Sequence, residues 1–237
     1  MSSAVHTPDE LRLRLREVRS RIEAAAKRSH RDPATIKLVA VSKTHPAQVV
    51  REAIDAGVTD LGENRVQEAE TKIGDLGKAA RWHLIGHLQS NKARRAVQLF
   101  DMIHSLDSVA LVHKLDRACA QENRSALPVL IQIDLGKEAT KSGATENELP
   151  AIVEAVRSSN HLRLVGLMTL PPFFDNAELV RPYFVRLREL RDELRALGMF
   201  GDDQGELSMG MTHDFEVAIE EGATIVRVGT AIFGRRS

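Results

Sequence analysis

Lys43 ends the apolar run Leu38-Val39-Ala40-Val41-Ser42 and is followed by Thr44-His45-Pro46. A strand that closes on a lysine just before a helix-opening proline brings an amine to the edge of an apolar interior. Partial desolvation there exposes the free base, the form that attacks an aldehyde. The plainer account is a lysine whose stem lies along apolar surface while its head stays in water. Two later segments, Ser208-Met209-Gly210-Met211-Thr212 and Arg227-Val228-Gly229-Thr230, set small residues, hydroxyls and glycines at strand-to-helix junctions. Backbone N–H groups at such turns can hold a phosphate, although each glycine alone is equally a loop residue. Arg227 is a permanent cation in an apolar strand, and it either faces a ligand or pairs with an acid such as Glu206.

Three other groups carry weaker chemistry. Asn64, at the junction Gly62-Glu63-Asn64, can cap a helix, touch a ligand or do both. His83 and His87 are four residues apart as in a zinc helix, but no glutamate follows His83 and the segment reads as a strand entering a loop, so no metal is expected. His83 is expected to pack inside a barrel or line its mouth. Lys92, Arg94 and Arg95 form the densest basic patch, without the interleaved aromatics that stack nucleic-acid bases. Cys119, the single cysteine, reads as a helix residue filling the core.

The elements that must position these residues follow from the pattern of apolar runs. Eight short runs read as strands: Leu38 to Ser42, Asp60 to Gly62, Trp82 to Ile85, Met102 to His104, Val129 to Ile133, Leu164 to Met168, Glu206 to Met209, and Ile225 to Val228. Helical patterns separate them, at Gln48 to Ala56, Val66 to Ile73, Asn91 to Leu99, Ser108 to Gln121, Glu146 to Ser158, Ala177 to Leu197 and Phe215 to Glu220. Strand and helix in strict alternation predict a closed (β/α)8 barrel, an α/β TIM barrel in which functional groups gather at the strand C-termini. Ala53-Ile54-Asp55-Ala56-Gly57-Val58-Thr59 matches Ala218-Ile219-Glu220-Glu221-Gly222-Ala223-Thr224, each a helix end, a glycine stop and a strand start. Ahead of the barrel, Thr7-Pro8-Asp9-Glu10 resembles a capping box that opens a long helix with apolar positions Leu11, Leu15, Val18 and Ile22. Residues 1–30 are expected to lay this helix on the flank that eighth-strand residues leave bare, since no helix is expected after that strand. The whole chain, residues 1–237, is expected to form one domain.

With 33 basic and 33 acidic residues the chain carries no global field to draw nucleic acid or an anionic membrane. No apolar run is long enough to span a bilayer and no secretory stretch opens the chain, so a cytoplasmic protein is expected.

Taken together, Ala40-Val41-Ser42-Lys43, Gly62-Glu63-Asn64, His83-Leu84-Ile85-Gly86-His87-Leu88-Gln89-Ser90-Asn91-Lys92, Lys141-Ser142-Gly143, Leu207-Ser208-Met209-Gly210-Met211 and Val226-Arg227-Val228-Gly229-Thr230-Ala231-Ile232-Phe233-Gly234 closely resemble the pyridoxal phosphate homeostasis protein family. The resemblance runs from about Leu38 to Gly234 and departs from the usual pattern at Arg65, His87 and Thr212-His213. It implies a barrel of the alanine racemase N-terminal type (PLP fold type III) that binds pyridoxal 5′-phosphate (PLP) covalently, as an internal aldimine on Lys43. It implies also that Ser208, Gly210, Gly229 and Thr230 contact the phosphate, that Asn64 lines the cofactor, and that Arg227 faces the pyridine nitrogen and keeps it unprotonated. His83, Met168 and Met209 complete the expected cofactor-binding set. The implied role is PLP and amino-acid homeostasis without dedicated turnover, with PLP-dependent apo-enzymes as possible recipients. An amino-acid racemase is the alternative; racemisation needs a second base on the opposite face of the cofactor, and the seven residues after Thr230 are too few to supply another domain. A monomer follows from the same reasoning.

Overall fold

Short β-branched runs between glycine and proline stops become eight parallel strands, and the computed structural model, which describes residues 7–136 and 142–234, closes them into a barrel. In chain order the strands are β1 (Lys37–Val41), β2 (Asp60–Glu63), β3 (Arg81–Leu84), β4 (Met102–Leu106), β5 (Leu127–Ile133), β6 (Leu162–Thr169), β7 (Glu206–Ser208) and β8 (Ile225–Val228). The last strand pairs with the first, placing Arg227 opposite Val39 and Val228 opposite Ala40. That closure makes β7, β8 and β1 consecutive around the wall. It therefore brings the two glycine turns and Lys43 to neighbouring strand ends.

The outer ring comprises α2 (Ala47–Asp55), α3 (Val66–Leu76), α4 (Ala93–Leu99), α5 (Val109–Gln121), α6 (Leu149–Arg157), α7 (Arg181–Ala196), α8 (Phe215–Glu220) and α9 (Thr230–Phe233). The main apolar core lies between this ring and the sheet, and a small separate cluster of Val39, Leu130, Val165, Met168 and Ile225 packs inside the barrel. The matched repeat is real in three dimensions. Gly57 and Gly222 each follow a helix with φ of 94° and 100°, a left-handed stop that glycine adopts without a Cβ penalty.

Three elements differ from the sequence reading, one of them the pattern Asn91 to Leu99, which opens as a 3-10 turn, Ser90–Lys92, before α4. The pattern Ala177 to Leu197 is split into a 3-10 turn, Ala177–Val180, and then α7, because Pro182 lacks an N–H and fits only the first turn of a helix. A turn of helix also follows β8. Only four residues are needed to wind α9, whose Ile232 and Phe233 are buried, and Gly229 O accepts the N–H of both.

Thr7 and Glu10 form the capping box of α1 (Pro8–Arg28), which buries Leu11, Leu15, Val18, Ile22, Ala25 and Ala26. The buried stripe packs on α8 and α9. Several of the α1 arginines also have partners. Arg21 reaches Glu216 at 2.7 Å, Arg28 reaches Glu220 at 3.0 Å, and Arg19 donates to the Gly57 carbonyl at 2.6 Å.

Candidate functional site at the barrel mouth

Lys43 occupies a tight turn directly after β1, half-buried, with His45 N–H closing the turn onto the Ser42 carbonyl at 3.1 Å. Its neighbours are fixed on both sides. Ser42 Oγ donates to Glu63 Oε1 at 2.6 Å, and the Thr44 N–H donates to Glu68. Thr44 holds φ at 69°, which a non-glycine residue adopts only under constraint. On the adjoining strand, a Cβ added to Gly229 would stand 3.2 Å from the Val41 carbonyl oxygen, so the β8 turn lies directly against the end of β1. The rings of His45 and Phe233 stack with centroids 5.0 Å apart, joining the lysine turn to α9.

The two glycine turns are built to bring backbone close. Gly210 has φ of 91°, and a Cβ there would come within 2.6 Å of Ala218 Cβ and 2.9 Å of Phe215 Cα. The Gly210 carbonyl accepts the Arg227 N–H at 3.0 Å, and the Gly229 N–H points to Thr212 Oγ1 at 3.4 Å. The Thr230 and Ala231 N–H groups precede the first bonds of α9 onto Gly229 O, and Thr230 is exposed at the mouth; such leading amides are suited to an anion.

Arg227 is almost fully buried, and its guanidinium lies level with the last residues of β6 and β7: it donates to Thr169 O at 2.8 Å and to Ser208 Oγ at 2.6 Å. Neither partner is a carboxylate, and Glu206 instead bonds Thr224 and lies 3.9 Å from Lys37. Burial lowers the Arg227 pKa to about 10, partly opposed by the charge of Asp214. A cation held inside a barrel without a carboxylate hydrogen bond is costly, and its position at the mouth leaves it available to a ligand atom.

From Arg227 a chain of hydrogen bonds runs down the barrel interior. Ser208 Oγ meets His104 Nδ1 at 2.9 Å, His104 Nε2 meets His83 Nδ1 at 2.9 Å, and His83 Nε2 meets Asp60 Oδ1 at 2.9 Å. Burial, then the nearby charge of His83 and Arg227, holds His104 well below the usual histidine pKa, so it is neutral. Burial raises the Asp60 carboxyl, but hydrogen bonds from His83, Thr59 and Arg81 outweigh it and keep the group ionised well below the usual carboxylate range. A carboxylate only accepts and a guanidinium only donates. The two ends of the chain are therefore fixed: Arg227 donates to Ser208 Oγ, and His83 Nε2 donates to Asp60 Oδ1.

The structure brings Lys43, Ser208, Gly210, Arg227, Gly229 and Thr230 together at neighbouring strand ends, and Asn64 sits half-buried at the end of β2 beside them. Gly86 touches that loop: a Cβ there would lie 2.4 Å from the Asn64 carbonyl oxygen. Met168 is buried inside the barrel, level with Ser208. Met209 is not available as a side chain. It follows the inward Ser208, so alternation turns it into the helix-facing core, and only its backbone is near the mouth. His83 packs inside the barrel, with both ring nitrogens used by Asp60 and His104, and it lines a cavity of about 520 Å³ open at the opposite face of the barrel. Lys141 lies outside the described residues, and no group of side chains able to hold a metal occurs among the described residues. His104, Asp60 and Thr169 went unnoticed in the sequence. The available signal was a polar residue at an inward position of an otherwise apolar strand.

Comparison with known proteins agrees with this architecture. A model of the alanine racemase N-terminal domain family matches residues 13–237, which defines the class: a barrel of the PLP fold type III. An alanine racemase from Clostridium difficile 630 shares the fold at 18% identity and a TM-score of 0.70, over 96% of this chain and 57% of that one. More specifically, the chain belongs to the pyridoxal phosphate homeostasis protein family. Its relative of that name from Aquifex aeolicus (strain VF5) is 44% identical over 94% of this chain and 97% of its own, and the one from Escherichia coli (strain K12) is 43% identical over 94% and 95%. The structure of PipY from Synechococcus elongatus PCC7942, solved with PLP bound, superposes with a TM-score of 0.82 at 38% identity, covering 94% of this chain and all of that one. No helix among the described residues is long and apolar enough to cross a membrane.

Proposed function

We propose that this protein binds PLP at the barrel mouth and serves PLP and amino-acid homeostasis as a carrier rather than an enzyme with its own turnover. The observation that carries the reading is the adjacency, across the β8–β1 seam, of the Lys43 turn and the Gly229 turn, with the buried Arg227 between the ends of β6 and β7. PLP supplies an aldehyde, a phosphate and a pyridine ring. Lys43 condenses with the aldehyde, its nitrogen taking the place of the carbonyl oxygen, which leaves as water. The amides around Gly210, Gly229 and Thr230 receive the phosphate, and Asn64 and Met168 line the ring. Arg227 faces the ring nitrogen and, being a permanent donor, keeps it unprotonated, which restrains carbanion chemistry. Ser208 stands behind this site, already bonded to Arg227 and His104.

Residues 1–237 act as one unit in this reading, a cytoplasmic monomer that can pass PLP to dependent apo-enzymes. The test is an absorbance titration with PLP. A visible band that borohydride bleaches and that Lys43→Ala abolishes is the expected result, and a band surviving Lys43→Ala rejects it. Sustained loss of optical activity from L- or D-alanine at enzyme-like rates would reject the carrier role in favour of a racemase.

A further inference from the structure

Lys72, on α3, is a buried cation that the cofactor site does not explain. Its side chain is 6% exposed, and its ammonium donates to the Ser42 carbonyl at 2.6 Å, to Glu63 Oε1 at 2.6 Å and to Glu68 Oε1 at 2.8 Å. All three N–H groups are thus engaged. Glu63 is fully buried, and its carboxyl is raised by burial against the opposing hydrogen bonds of Lys72 and Ser42. Its second oxygen, Oε2, has no hydrogen-bond partner.

Such a cluster is a poor way to stabilise a barrel, because the cost of drying two carboxylates and an ammonium rivals their attraction, and apolar side chains of similar volume serve as well. What it does is local. Lys72 and Glu63 hold Ser42, through its carbonyl and its hydroxyl; Glu68 holds Thr44, through its N–H, in the left-handed conformation. Ser42 and Thr44 flank a single residue, and it is Lys43.

We propose that Lys72, with Glu63 and Glu68 as its relays, is a positioning residue that fixes the backbone on either side of Lys43 and so aims its amine at the aldehyde of PLP. The inference rests on the reading of Lys43 given above. Nothing in the cluster touches the anion turns at Gly210 and Gly229. Its loss therefore weakens covalent capture while sparing non-covalent recognition of the phosphate and ring, a split that a general loss of folding does not produce.

The experiment compares wild type, Lys72→Met and Lys72→Arg with two probes: PLP, followed by its visible band, and pyridoxamine 5′-phosphate, which has no aldehyde and reports recognition alone. In Lys72→Met, covalent capture is expected to slow by about 10- to 100-fold, the scale set by misplacing a reacting group. Affinity for pyridoxamine 5′-phosphate stays within about threefold, below the smallest slowing expected for capture. Lys72→Arg, which can still donate to Ser42 and both carboxylates, recovers part of the rate. Glu68→Ala removes the tie to Thr44 and one of the three acceptors of Lys72 from a half-buried position, and it slows capture in the same sense even where Lys72→Met fails to fold. Wild-type capture rates in Glu68→Ala, or parallel loss of both probes in a folded Lys72→Met, overturn the proposal. A band that depends on Lys43 but ignores both substitutions sinks this inference alone; a wild-type band independent of Lys43 removes the reading beneath it.

Discussion

Replacing Arg227 by methionine, a neutral side chain of similar length, should cost little stability despite deleting a fully buried group with two short hydrogen bonds. Burial lowers the guanidinium pKa to about 10, so carrying the charge inside costs on the order of 3 kcal/mol at about 1.4 kcal/mol per pKa unit. Against this, the bonds to Ser208 Oγ and Thr169 O contribute about 1.5–3 kcal/mol each, as is usual for a charged donor. The two terms largely cancel, and the expected loss is about 1 kcal/mol, or roughly 2–4 °C in Tm for a domain of this size. Urea denaturation of the cofactor-free proteins at pH 7 measures it. The pH dependence has a defined sign. The folded Arg227 releases its proton at lower pH than the unfolded one, so above about pH 10 the unfolded chain binds more protons and wild type gains on the variant as pH rises. If PLP sits as proposed, the same substitution should weaken its retention, because the donor assigned to the ring nitrogen is gone. A loss above about 4 kcal/mol would refute the reasoning, since it would mean that the bonds far outweigh the cost of burying the charge.

Two further outcomes follow from the geometry. Asp60→Asn should destabilise by about 2 kcal/mol at neutral pH, because Asp60 is ionised in the fold and accepts from His83, Thr59 and Arg81. Since its folded pKa is depressed, this contribution is present above pH ~4 and fades as pH falls further, so denaturation midpoints of the two proteins should converge in acid and a constant gap would contradict the assignment. Leu15→Ala on α1 should cost about 3 kcal/mol, whereas Arg28→Ala, a largely exposed ion pair with Glu220, should cost under about 1 kcal/mol. Thermal melts that reverse this order would show the helix to be held by charge rather than by its apolar stripe.

All eight strands were legible because each βα unit carries its own punctuation, as at Gly57 and Gly222, and such signals act within a few residues. Lys43 was legible for the same reason, since the end of β1 is a local fact. Whether His83 packs inside the barrel or lines its mouth was open, because a strand's sequence reveals which side chains point inward but not how far up a staggered barrel wall they stand; it packs inside. Met209 was given to the site from its neighbours in the motif, though alternation from Ser208 already turned it outward. The partners of Lys72 were hidden for another reason. Ser42 lies thirty residues away in the chain, and only the pairing of β1 with β2 brings it to α3.

The seam where α1 meets α8 and α9 joins segments made far apart in synthesis, with Arg21 and Glu216 separated by 195 positions. A nascent chain therefore emerges with the greasy stripe Leu11, Leu15, Val18 and Ile22 already formed, and until α8 and α9 are made only the Pro33–Thr35 turn and α2 are there to cover part of it. Through most of that interval the molecule is an open, unfinished sheet with one partly uncovered helix, the stage at which a chaperone or a misplaced contact competes most effectively with folding.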